Sequence, residues 1–62
     1  MKVFTIQVPA TPAEGDLVFT DSKLSRKAEV GDGVVIEAED GTYIGDIIDT
    51  EPDRDQVTIE LR

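Results

Sequence analysis

Val34-Val35-Ile36-Glu37-Ala38-Glu39-Asp40-Gly41-Thr42-Tyr43-Ile44-Gly45-Asp46-Ile47-Ile48-Asp49 is the stretch on which the fold turns. Two runs rich in β-branched residues flank Asp40-Gly41, a dipeptide suited to a two-residue reversal whose residues take positive φ. A hairpin closed on Asp40 and Gly41 sets Ala38 opposite Tyr43, Ile36 opposite Gly45 and Val34 opposite Ile47, with these six on one face. Val35, Glu37, Ile44 and Asp46 then lie on the other. Gly45 in mid-strand leaves a gap for Ile36 to fill and marks a bulge or bend. Such a bulge would let the adjacent Ile47 and Ile48 both find cover.

Working outward, residues 2–8 alternate strictly, with Phe4, Ile6 and Val8 on one side, as in a half-buried strand. Pro9, Pro12 and Gly15 then make 9–16 a loop or arm. Leu17-Val18-Phe19-Thr20 reads as a second strand, and Asp21-Ser22-Lys23 as a turn. The segment 24–28 is a short strand or one irregular turn. Residues 50–55 form a polar loop around Pro52. The last strand, 56–62, points Val57, Ile59 and Leu61 inward. No stretch carries helical periodicity over three turns. The fold class is therefore all-β, one small five-stranded antiparallel barrel spanning 1–62, or two packed hairpins.

A chain of 62 residues without cysteine relies on its apolar core, and seven Val, six Ile, three Leu and two Phe can furnish one. The net charge of −8 is unevenly spread. Residues 1–28 hold three acids and four bases; residues 29–62 hold eleven acids and two bases. Such a surface repels phosphate backbones and argues against direct nucleic-acid binding. It suits a basic partner, or serves solubility. No segment has the length of apolar chain that a membrane span requires, and the N-terminus lacks a signal-peptide block. A cytoplasmic or virion location is the expectation.

Catalysis finds little support. Histidine and cysteine are absent, so Ser22 and Ser25 have no base of the usual kind. A carboxylate pair would need a water-excluding cleft larger than this chain can wall. Asp49, Glu51, Asp53 and Asp55 alternate through the last loop, but Pro52 stands where a calcium loop would want glycine, so the reading is a solvated acidic turn. Gly31, Gly33, Gly41 and Gly45 are turn and bulge residues with no helix behind them to hold a phosphate. No metal and no cofactor are expected. Lys23, Arg26 and Lys27 form a lone basic cluster, read as a solvated loop or as a contact for the acidic half of another copy. Val35 and Ile44, flanked by Glu37 and Asp46, either fold under a loop or form an apolar protein-contact patch.

Residues 30–61, with Val30-Gly31-Asp32, Asp40-Gly41, Gly45 and the final alternating strand, resemble SH3-like barrels of ribosome- and RNA-associated proteins. The acidic surface departs from the RNA-binding members. Residues 15–61 also resemble the β-rich capsid cement, or decoration, proteins of tailed bacteriophages. The resemblance rests on Gly15-Asp16-Leu17-Val18-Phe19-Thr20-Asp21, Ile44-Gly45 and Asp55-Gln56-Val57-Thr58-Ile59-Glu60-Leu61. It implies a non-enzymatic protein that clamps capsid subunits from outside through exposed strand edges and the 9–16 arm, as a homo-oligomer. Two alternatives stand beside it: an acidic inhibitor mimicking nucleic acid, and an SH3-like module of a larger assembly.

Overall fold

The computed structural model describes residues 2–9 and 15–62. In chain order these form β1 (Val3–Gln7), β2 (Asp16–Thr20), α1 (Ser22–Lys27), β3 (Gly33–Ala38), β4 (Gly41–Glu51), a 3-10 turn (Pro52–Arg54) and β5 (Gln56–Leu61). The arm expected over 9–16 falls mostly on residues 10–14, outside the described residues.

The strands make one sheet in the order β1-β3-β4-β5-β2. Three of the four pairings are antiparallel, but β1 runs parallel to β3. The sheet does not close: β1 and β2 are its two edges. The closed antiparallel barrel is thus corrected to an open, mixed sheet carrying one helix. Alternation within a strand fixes which face its side chains take, and is silent about which strand lies alongside.

One face carries the core. Ile6, Val34, Ile36, Ile47, Val57 and Ile59 are buried there, with Phe4, Val8, Leu17, Phe19, Tyr43 and Leu61 half-buried around them. The faces assigned from alternation hold in β1, β3, β4 and β5. The cover is α1 with its C-cap, which add Leu24, Ser25 and Ala28. Asp21 begins the helix by accepting the Leu24 N–H in its carboxylate at 3.0 Å, satisfying one of the orphan first-turn donors. Arg26 and Lys27 occupy the last turn, where the helix dipole favours cations. Residues 21–28 are therefore a capped helix, not a turn followed by a short strand or an irregular turn. At six residues it is too short to show a period.

The hairpin reverses at Glu39-Asp40, closed by Ala38 opposite Gly41. The turn assigned to Asp40 and Gly41 thus moves by one residue. Glu39 and Asp40 keep negative φ, so the mirror-image turn does not form; Gly41, at φ 152°, leads into β4. Tyr43 Oη donates to the Asp40 carboxylate at 2.7 Å across the turn. The register becomes Ile36 opposite Tyr43, Val35 opposite Ile44 and Val34 opposite Gly45. Because the turn shifted by one position, each cross-strand partner shifted by two, and every side chain kept its face.

The bulge lies at Ile48, between the Ile47–Ile59 and Asp49–Thr58 pairs, not at Gly45. It seats Ile47 in the core and leaves Ile48 39% exposed, so the two do not both find cover. Gly45 has another reason to be glycine. A Cβ there would stand 2.6 Å from Ile59 Cγ2 and 2.9 Å from the Glu60 carbonyl oxygen. Ile59, not Ile36, takes the space.

Candidate protein-contact surface

The outer face of the sheet can be assembled row by row from its registers. Gln7, Glu37 and Thr42 form one row; Thr5, Val35 and Ile44 the next; Val3, Gly33, Asp46, Glu60 and Asp16 the third. Val35 and Ile44 are therefore directly opposite each other on adjacent strands, a cross-strand apolar pair. Ile44 is 49% exposed, so it is not folded under a loop; Val35 is half-buried beside it. Glu37 and Asp46 lie in the rows on either side. The structure brings the four residues together.

It also adds Val3, 66% exposed and diagonal to Val35 through the β1–β3 pairing. Sequence reasoning could not place Val3 there, because nothing in residues 2–8 says which strand lies beside them. The result is a small apolar group on β1, β3 and β4 with carboxylates around it.

Asp46 is not a free charge. Arg62 Nη2 donates to its Oδ1 at 2.7 Å and Arg62 Nε to its Oδ2 at 3.1 Å, a bidentate pair. These hydrogen bonds, reinforced by the guanidinium charge, hold the Asp46 carboxyl below the usual carboxylate value and raise Arg62 above its own. The Arg62 N–H also donates to the Ile44 carbonyl at 2.9 Å, so the chain end extends β5 alongside the patch. No local spacing links residues 46 and 62, so the pair was illegible in the sequence.

Asp32 plays an internal part. Its buried carboxylate accepts the Glu29 N–H at 3.0 Å and the Lys2 N–H at 3.1 Å, tying the start of β1 to the turn before β3. Those backbone hydrogen bonds, Glu29 first, lower its pKa.

The acids of residues 49–55 are spread along the end of β4 and the 3-10 turn, and Glu51 meets Arg54 at 3.6 Å on the surface. Lys23 and Lys27 sit one helical turn apart on α1 rather than in a loop. They border a cleft of about 250 Å³ between α1 and β1, lined also by Phe4, Thr5, Ile6, Asp21 and Leu24. Among the described residues no helix is long and apolar enough to cross a membrane.

No protein-family model matches this sequence, and no curated protein or solved structure matches it either.

Proposed function

We propose that the chain is a non-enzymatic structural module that binds protein, most concretely a decoration protein on a virion capsid, with the cytoplasm as the setting before assembly. The single observation that carries the reading is the Val35–Ile44 pair. It is an exposed cross-strand apolar contact, extended by Val3 and rimmed by Glu37 and Asp46. An apolar centre inside a polar rim is how protein-binding patches are built. The Arg62–Asp46 pair supports the same use, because a paired carboxylate costs less to desolvate at the rim of an interface than a free one. In this reading the five short strands around one apolar core ally the chain with small SH3-like barrels, with the seam between β1 and β2 open.

The test is co-sedimentation with capsid shells of the tailed phage type, made from the major capsid protein encoded in the same genome. Wild type should travel with the shells, and Ile44→Asp should not, while retaining the wild-type circular dichroism spectrum. Failure of the wild type to co-sediment, or unaltered binding by Ile44→Asp, would overturn the reading.

A second reading, an acidic mimic of nucleic acid, is favoured by one feature: Asp46, Glu60 and Asp16 align in a single row across β4, β5 and β2. Arg62 cancels much of the charge of the first. That reading requires salt-sensitive binding to a basic, DNA-handling protein, lost on charge reversal at Glu60 and Asp16.

A further inference from the structure

A free strand edge, an apolar cleft and two unpaired cations meet at β1. The Lys2 carbonyl accepts from Gly33 and the Val8 N–H donates to Glu37, so the even-numbered residues of β1 bond to β3. Val3, Thr5 and Gln7 therefore turn their N–H and C=O groups away from the sheet. Among the described residues that row has no backbone partner. Such an edge is a template for an added strand.

The cleft lies where the side chains of that strand would go. Pleating sends every second side chain to the core face, and the space on that side of β1 is the cleft of about 250 Å³ beneath α1. Phe4, Ile6 and Leu24 are its apolar wall, and Lys23 and Lys27 its cationic border. Neither lysine makes an ion pair among the described residues. Asp21, the one acid in the lining, gives a carboxylate oxygen to the Leu24 N–H.

We infer that this cleft takes an extended, acidic segment of a partner protein, which adds to β1 as a strand and turns carboxylates toward Lys23 and Lys27.

The backbone row and the lysines select that occupant together. A small organic anion would meet the lysines and leave the amide row of β1 bare; a second backbone answers its N–H and C=O groups in turn. The strands of this chain do not supply the charge. Within β1 and β2, the two strands with a free edge, the core-face residues are Phe4, Ile6, Leu17 and Phe19, and none is acidic. Asp16 of β2 is turned to the outer face, away from α1. A second copy, or closure of β1 on β2, therefore leaves both lysines unanswered. Acidic residues two apart on a partner strand answer them. Lys23 and Lys27 stand roughly 6 Å apart along the helix axis, and alternate residues of a strand roughly 6.7 Å apart. The site is on the opposite face from the Val35–Ile44 patch and does not depend on what that patch binds.

The experiment titrates the full, isotope-labelled chain with the end-capped peptide Thr-Leu-Thr-Glu-Thr-Glu-Thr, followed by NMR. One face of that peptide carries a leucine for the apolar wall and two glutamates for the lysines. Binding should shift the signals of Val3, Thr5, Gln7, Lys23 and Lys27, and slow exchange of the Val3, Thr5 and Gln7 amides, which gain acceptors. Replacing both glutamates of the peptide by glutamine should weaken binding by about tenfold or more, as should Lys23→Glu with Lys27→Glu in the chain. Arg26→Glu, on α1 but outside the cleft, should change it by about twofold or less. Thr5→Pro deletes an outward N–H that the β1–β3 ladder does not use and should also weaken binding; should it unfold the chain, the exposed lysine variants decide the matter. Absence of binding up to millimolar peptide overturns the inference, as does indifference to the glutamine replacement or to the lysine reversals. Octanoate that binds as tightly as the peptide and leaves the Thr5 amide unprotected would assign the cleft to a small anion. Thr5 protection that grows with the concentration of the chain alone would assign the edge to a second copy. Either result overturns it too. Loss of capsid co-sedimentation with the titration unchanged would strike the proposed function alone.

Discussion

Residues 2–8 and 56–62 alternate with equal regularity, yet they end in different circumstances. Val57 and Ile59 of β5 are wholly removed from solvent, whereas Phe4 and Val8 at the other end of the sheet are only half-buried. The difference is one of neighbours. β5 lies between β4 and β2, so its core-face side chains have strands on both sides; β1 has β3 alone. Alternation in a strand tells which residues look inward, and position in the sheet decides how much they bury.

The comparison can be broken most forcefully in the centre. Ile59→Ala should cost about 2–5 kcal/mol of unfolding free energy, a loss that can unfold a domain of this size. Phe4→Ala, a larger deletion at the edge, should cost about 1–2 kcal/mol because part of its surface already faces water. Urea denaturation of both decides the matter, and equal costs would mean that β1 is not an edge. Gly45→Ala sharpens the same point from the opposite direction. The added methyl meets Ile59 and the β5 backbone, so about 1–3 kcal/mol should be lost although alanine is ordinarily tolerated in strands.

Smaller effects lie outside the apolar core. Asp21→Ala removes the cap of α1 and should lower stability by about 1 kcal/mol in the same urea assay. Asp32 adds a pH dependence. Its folded-state pKa lies below the ordinary 3.8, so its contribution is present above that value and is lost as the pH falls through it toward the depressed one. Asp32→Asn should therefore lower the urea midpoint at pH 7 and converge on wild type in acid. Ile44→Asp, on the outer face, gives up the cross-strand pair with Val35 and a strand-favouring residue, so it should cost about 1 kcal/mol while the fold persists and binding is lost.

Much of the sheet could be read from residue type and spacing. Period two alone puts Phe4, Ile6, Val57 and Ile59 on the core face, and the hairpin sorts Val34, Ile36 and Ile47 from Val35 and Ile44. What escaped depends on information no strand contains. The parallel neighbour of β1 lies 30 residues along the chain. The helix was masked because Asp21-Ser22-Lys23 has turn composition, and because one and a half turns hold only a single large apolar residue, Leu24. The bulge at Ile48 answers to the β4–β5 pairing, not to Gly45, whose glycine serves close approach. Val3 joined the contact patch only once β3 was known to be its neighbour.

Amide hydrogen exchange on the dilute, monomeric chain tests the open sheet most directly. The amides of Val3, Thr5, Gln7, Asp16, Val18 and Thr20 should exchange near the unprotected rate, while those of Phe4, Ile6, Leu17 and Phe19 between them are protected. Even protection along both strands would mean that β1 and β2 pair with each other in a closed barrel, and would contradict it.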